Sequence, residues 1–296
     1  MAAIRRATFM ALNASPPTPE CPRFEGLILI DKPLRRTSMD VCASIRSRFR
    51  RAGAPKRLKV GHAGTLDPLA TGLLVVMVGK ATRLCERFMA ERKIYETQID
   101  LSQNSTTDDA EGERTRVEPG VIPTAEQVAA VVGRFVGVIQ QRPPAYSAMK
   151  VGGRRAYELA RAGEIVELAV RPVHVYGLEV LRYEWPCLSL RIECGKGTYV
   201  RSLARDLGAS LGAGGMLTQL RRTASGGFRV ADARTLDSLP VVMSQGDLLP
   251  LAEVNGATDA TDANDANDAN DATDANDAND ANDANDATEA SAEGGT

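Results

Sequence analysis

The sequence predicts an α+β fold with a mixed, largely antiparallel central sheet flanked by helices. Three observations predict it. Segments 93–101 and 187–194 alternate apolar and polar residues, the pattern of half-buried strands. Segments 173–183 and 187–194 lie a hairpin's distance apart. Helical segments with their own start and stop signals fall between strands, without a regular strand–helix–strand repeat.

The elements follow in order. Residues 1–24 lack periodicity, contain Pro16, Pro17, Pro19 and Pro22, and are expected to be a disordered leader. The body, 25–240, opens with the buried-strand signal Gly26-Leu27-Ile28-Leu29-Ile30. Ser38 suits the cap of a basic helix running to about Arg51. Two apolar segments, Leu58 to Gly61 and Gly72 to Val78, flank the loop His62–Thr71. In 93–101, Tyr95, Thr97, Ile99 and Leu101 share one face, opposite Glu96, Gln98 and Asp100. Residues 102–123 are polar and turn-rich. Thr124 and Gln127 form a capping box before a helix ending near Phe135. A short helix closes at Gly163. After the two strands, a helix is expected from about Thr198 to Leu211. Residues 241–254 form a short remnant, and 255–296 are Asp-Ala-Asn and Asp-Ala-Thr triplets. This tract cannot bury apolar area and is expected to be disordered. One carboxylate per triplet and no turn glycine make it a poor calcium site; it is better suited to compete weakly with a polyanionic partner for the rest of the chain.

Charge points to a partner. The net charge of −2 averages two unlike regions. Thirteen acids and no base lie from Glu253 onward, leaving 25 acids against 36 bases before it, a net of +11. A body this basic favours a polyanion, because Lys and Arg release counterions from phosphates. Five scattered cysteines with no C-x-x-C pair suit free thiols in a reducing compartment. Two distant histidines, His62 and His174, argue against a zinc site. No apolar run is long enough to cross a membrane. A cytoplasmic protein is expected. No Walker loop or dinucleotide fingerprint is found.

Several constellations could carry chemistry. The loop His62-Ala63-Gly64-Thr65-Leu66-Asp67-Pro68-Leu69-Ala70-Thr71 presents Asp67 from between two apolar segments, and Pro68 keeps it out of the helical region. Such an Asp can act as nucleophile or base; alternatively, Asp-Pro starts a turn. Arg201 falls in the first turn of its helix, where the dipole disfavours a cation. It therefore wants an anion, either a phosphate or a carboxylate such as Asp67, or is solvated beside Glu193 or Asp206. Arg205, one turn on, could extend a basic face. Tyr95 is either core or a stacking platform for a base. Pro143 to Lys150 reads as an ordered loop. Arg221 and Arg222 suit phosphate contact, or a solvated turn.

Gly61-His62-Ala63-Gly64-Thr65-Leu66-Asp67-Pro68-Leu69-Ala70-Thr71-Gly72 closely resembles the active-site signature of TruB-type tRNA pseudouridine-55 synthases. Asp31-Lys32-Pro33 with Thr37-Ser38, Lys93-Ile94-Tyr95, Thr106 to Gly112, Pro143 to Lys150 and Lys196 to Arg201 resemble further motifs of that family, in order, over roughly residues 24–240. The resemblance implies a pseudouridine synthase-like catalytic domain that isomerises uridine 55 in the T-loop of tRNA, without cofactor, metal or obligatory protein partner. It implies that Asp67 is the nucleophile, that Arg201 pairs with it, and that Tyr95 stacks on the base and serves in proton transfer. His62 would support the flipped-out nucleotide, Tyr199 and Leu220 would line the pocket, and Lys32 and Pro33 would shape it. Relatives often add an RNA-binding PUA domain; the residues before the acidic repeat are too few to build one. A monomer engaging the T-arm is expected.

Overall fold

The computed structural model describes residues 23–251, except 148, 152 and 165–167. Residues 1–22 of the expected leader and the whole acidic tail lie outside the described residues.

β1 (Gly26–Lys32) is buried along almost its full length, as its unbroken apolar run requires. α1 (Ser38–Arg51) is capped by Thr37, not by Ser38. The Thr37 hydroxyl accepts from the Asp40 N–H at 3.0 Å, and the Asp40 carboxylate accepts from the Thr37 N–H at 2.9 Å. Thr37 takes the cap because the Ser38 hydroxyl is committed to Leu66. α1 buries Val41, Cys42, Ile45 and Phe49, one stripe at helical spacing, and Phe49 meets Phe24 ring to ring at 4.7 Å.

β2 (Val60–His62) and β3 (Ala70–Val78) flank the signature loop. α2 (Cys85–Ala90) leads into β4 (Lys93–Asp100). The stretch expected to be turns contains a small hairpin, β5 (Gln103–Ser105) and β6 (Arg114–Arg116). α3 (Ala125–Gly133) starts at the expected capping box. β7 (Gly137–Gln141) follows, then β8 (Lys150–Val151), β9 (Arg154–Arg155) and α4 (Ala156–Arg161). Gly163 stops α4 at φ 78°. β10 (Arg171–Glu184) and β11 (Cys187–Cys194) are the expected hairpin. α5 (Val200–Ser210) begins after Tyr199, one residue beyond the expected cap, with no side-chain cap bond. β12 (Met216–Ser225), β13 (Phe228–Arg229) and β14 (Arg234–Thr235) complete the order.

The main sheet has ten strands, in the order β14-β1-β3-β12-β4-β11-β10-β7, with β2 on β3 and β13 on β12. Only β1–β14 and β3–β12 are parallel, so the sheet is mixed and largely antiparallel, as expected. β12 joins the β1–β3 half to the β4–β11–β10–β7 half. Its register sets one row of partners: Lys32 opposite Gly72, Gly72 opposite Arg222, Arg222 opposite Tyr95, and Tyr95 opposite Ile192.

Strand alternation divides the apolar side chains between two layers. Ile28 and Ile30 join Val41, Ile45, Val128, Leu203 and Leu207 under α1, α3 and α5. Leu27 and Leu29 face the smaller cluster with Met77 and Phe88. The glycine-rich turn into β12 is a tight joint. A Cβ on Gly215 would lie 2.3 Å from the Ala204 carbonyl oxygen, and one on Gly214 would lie 2.4 Å from that of Gln103. Residues near the end of the body pack back on β1: Leu27 and Leu249 exchange backbone hydrogen bonds at 3.0 and 2.8 Å, and Met243 is fully buried. No helix among the described residues is long and apolar enough to cross a membrane.

Candidate active site

The loop between β2 and β3 holds Asp67 from both sides. The Leu66 N–H donates to the Ser38 hydroxyl at 2.9 Å, and that hydroxyl donates to the Leu66 carbonyl at 3.0 Å. The Pro68 carbonyl accepts from the Arg35 N–H at 2.8 Å, and the Asp67 carbonyl accepts from the Ala70 N–H at 3.0 Å. Arg35 makes its bond at φ 64°, a left-handed conformation that costs a non-glycine residue about 1 kcal/mol or more. Ser38 and Arg35 thus fix the residues before and after Asp67.

Arg201 meets the Asp67 side chain. Its Nε lies 3.0 Å from Asp67 Oδ2, and its Nη1 lies 3.3 Å from Asp109 Oδ2. Nη1 and Nη2 also donate to the carbonyls of Thr107 at 3.2 Å and Tyr146 at 3.1 Å. The anion that a cation in the first turn of α5 calls for is therefore a pair of carboxylates. The Arg201 side chain is 8% exposed and Asp109 is 2% exposed, whereas Asp67 keeps 37% of its surface. Asp109 is held in turn by the Thr107 hydroxyl at 2.6 Å and the Glu111 N–H at 3.0 Å. Burial pushes the Asp67 carboxyl above its usual range; Arg201 pulls against that shift and Asp109 adds to it. The result is an oriented carboxylate that remains open on one side.

The sheet supplies the floor. Lys32 is fully buried, and its Nζ donates to the carbonyls of Pro33 at 3.0 Å and Arg36 at 2.5 Å. Burial lowers its pKa to about 8, and the charge of Asp67 resists this. Burial raises the Tyr95 phenol, while the Arg222 guanidinium opposes the rise. His62 has a pKa of about 4, through burial first and the Arg222 charge second, so it is neutral at physiological pH. Its Nδ1 is buried with no hydrogen-bond partner among the described residues.

The expected pocket residues converge only in part. Arg201, Lys32 and Tyr95 each lie within the field of Asp67. Tyr199 is anchored through its backbone: its N–H donates to Gln141 Oε1 at 2.8 Å and its carbonyl accepts from Gln141 Nε2 at 3.1 Å. The Leu220 carbonyl accepts from the Thr71 hydroxyl at 3.4 Å, across the parallel pair. Pro33 is exposed beside buried Lys32. Arg205 does not extend a free basic face; it pairs with Asp108 at 2.8 Å and Asp206 at 2.9 Å. Nor do Arg221 and Arg222 form a phosphate-binding pair. Arg221 is bidentate with Asp31 at 3.0 and 2.7 Å, and Arg222 is buried. Neighbours on a strand point to opposite faces, so the two part company. Asp109 and Arg35 were not singled out from sequence, and Ser38 only as a helix cap and part of a motif; the Thr/Asp-rich turn at 106–112 hinted at the first. Among the described residues no cluster of three His, Cys, Asp or Glu could hold a metal ion.

A family model described as TruB family pseudouridylate synthase (N terminal domain) matches residues 50–200, and one described as tRNA pseudouridylate synthase B C-terminal domain matches residues 201–248. The chain belongs to the TruB family. Among TruB relatives, tRNA pseudouridine synthase B of Thermobifida fusca is 47% identical over 241 residues, covering 79% of each chain. The enzyme of the same name from Phocaeicola vulgatus is 42% identical over 225 residues, 76% of this chain and 96% of its own. Among solved structures, a Cbf5-Nop10-Gar1 complex contains a chain 32% identical with a TM-score of 0.56. That match covers 72% of this chain and 53% of the other. Together with the family models, it bears out the expected pseudouridine synthase fold for this TruB chain.

Proposed function

We propose that this tRNA pseudouridine synthase acts alone on uridine 55 of the T-loop, with Asp67 as its nucleophile. Its reaction breaks the N1–C1′ bond, turns the uracil ring and rejoins it to C1′ through C5. The observation that carries the reading is the Asp67–Arg201 pair: a carboxylate aimed by a buried, forked guanidinium and still open on one side. The planar fork spans the two carboxylates, Nε on Asp67 and Nη1 on Asp109, and the carbonyls of Thr107 and Tyr146 hold it in place. The target uridine must first leave its stack, which costs a few kcal/mol. Basic surface and an aromatic face such as Tyr95 can offset that cost. Neutral His62 can rest against the flipped-out nucleotide without adding charge, and Tyr199 and Leu220 can line its other sides.

The test is tritium release from tRNA labelled at uridine C5, with Asp67→Asn alongside. Wild type should release tritium from the T-loop uridine alone. Asp67→Asn should lose activity by at least about 10³-fold and keep its tRNA affinity. Release from other uridines would refute position 55. Retained activity in Asp67→Asn would remove the nucleophile. No release by wild type, despite tight tRNA binding, would indicate a tRNA-remodelling protein.

A further inference from the structure

Gln141 is the last residue of β7 and is 1% exposed. A buried primary amide needs partners for both its donor and its acceptor. Gln141 finds them on a single residue: Oε1 accepts from the Tyr199 N–H at 2.8 Å, and Nε2 donates to the Tyr199 carbonyl at 3.1 Å. Tyr199 is the residue before α5, and its own side chain makes no cap bond. A helix start leaves backbone donors over, and a side chain close in sequence usually takes them. In a capping box, the residue three positions on accepts from the N-cap N–H. Here that residue is Ser202, whose hydroxyl is buried with no hydrogen-bond partner among the described residues. Gln141, 58 positions away on an edge strand, supplies the acceptor instead.

The chain that follows Gln141 continues the grip. The Tyr146 carbonyl accepts from Arg201 Nη2 at 3.1 Å, and the Arg142 carbonyl from Arg205 Nη2 at 2.9 Å. Arg171, opposite Gln141 in the β7–β10 register, donates to the Gly197 carbonyl at 2.7 Å and lies 5.3 Å from the centre of the Tyr199 ring. Residues 141–146 thus hold the start of α5 at Tyr199, Arg201 and Arg205. The last two contacts fix side chains. The contact from Gln141 fixes the backbone from which Arg201 projects, two residues on. Arg201 has little slack, since Nε must meet Asp67 at 3.0 Å while Nη1 meets Asp109 at 3.3 Å. A helix start displaced by about 1 Å would break one of these contacts or misdirect the carboxylate, and such an error can cost up to about 10²-fold in rate.

We infer that Gln141 is a positioning residue for the reaction: by docking the first turn of α5 on β7, it sets the reach of Arg201 and so the aim of Asp67. The inference rests on the proposed function, in which Asp67 is the nucleophile. An amide suits the task because it is neutral. It adds no charge beside a guanidinium that already serves two carboxylates. Its planar end also carries a donor and an acceptor together, matching the C=O and N–H of one residue, whereas an ionised Glu would offer no donor.

Gln141→Met on the full chain tests this, since Met has similar length and no comparable hydrogen bonds. Single-turnover tritium release should fall by between about tenfold and 10²-fold, with tRNA affinity nearly unchanged. The Asp67 carboxyl, already raised by burial and held down by Arg201, should then ionise at higher pH, so the acid limb of the pH–rate profile should move up. Gln141→Glu, which keeps the acceptor for the Tyr199 N–H, should recover part of the rate. In an Arg201→Lys background, Gln141→Met should cost no more than about threefold, because the fork it places is gone. Losses that multiply, or an acid limb that stays in place, would reduce Gln141 to a structural cap and overturn the inference. A second measurement does not depend on turnover. The Arg201 Nε–H resonance in ¹⁵N NMR, identified by its absence in Arg201→Lys, should shift in Gln141→Met; an unchanged resonance would also overturn the inference. That readout is independent of whether Asp67 is the nucleophile, which Asp67→Asn decides, so the two failures are distinguishable. If Gln141→Met does not fold, Gln141→Glu carries the same cycle and the same resonance.

Discussion

Arg201 and Arg222 are both buried guanidiniums of one site, but their surroundings have opposite sign. Arg201, on the loop side, lies between Asp67 and Asp109 and is bonded to two carbonyls. Arg222, on the sheet side, has carbonyls, a phenol and other cations around it. The first arrangement fixes an anion that is already there. Its charge is largely spent on holding Asp67 and Asp109, and its return is orientation. The second has no described carboxylate as partner and ties β12 to the carbonyls of Leu73 and Gly64.

The contrast can be broken or sharpened by substitution. The largest effect is expected for Arg201→Lys, which keeps the charge and loses the fork. Single-turnover release should fall by about 10²-fold or more, with tRNA affinity nearly unchanged. Because Asp67 must be ionised to attack and Arg201 holds down an already raised pKa, the acid limb of the pH–rate profile should move to higher pH. Unaltered turnover would separate Arg201 from the nucleophile. Asp109→Asn should cost about tenfold, since it loosens one side of Arg201 and spares the other; a loss as large as that of Arg201→Lys would make Asp109 an equal partner.

His62 probes the sheet side through stability. Its pKa is about 4 in the folded chain, against 6.5 ordinarily. As pH falls from 6.5 toward 4, the unfolded chain takes up a proton that the folded chain refuses, so stability drops in that window. His62→Asn should recover about 1–3 kcal/mol of it at pH 4.5, measured by urea unfolding. An unchanged slope would place the imidazole in a wetter setting than the fold indicates. The smallest effect belongs to Arg221→Gln, next in sequence to Arg222. Breaking its partly exposed pair with Asp31 should cost under about 1 kcal/mol and leave turnover alone. A large loss of activity there would erase the distinction between the two neighbours.

Contiguity decided how much of this was legible in the sequence. The signature loop, the 93–101 strand and the β10–β11 hairpin are local patterns, and all three are found in the fold. Caps were harder. Thr37 and Ser38 are both good caps, and only the distant Leu66 backbone decides which is free to serve. β12 escaped notice because two arginines interrupt its apolar pattern, and the inward one is satisfied by loop carbonyls that no spacing rule connects to it. Asp109 pairs across 92 positions with Arg201, held by a turn whose Asp108 takes the left-handed φ of 62°. That association belongs to tertiary structure.

β12 also has a consequence for timing. A ribosome delivers the β1–β3 half first, then β4 to β11, and the strand that stitches them together comes after both. Until residue 225 has emerged, the β3 and β4 edges have no partner between them. Such long-range parallel closure is a slow, late event in folding. The same strand sets Leu220 beside Ala70, and Arg222 between Gly72 and Tyr95. A nascent chain therefore carries Asp67 and Tyr95 on separate half-sheets, and the step that completes the sheet is also the step that creates a site able to act on RNA.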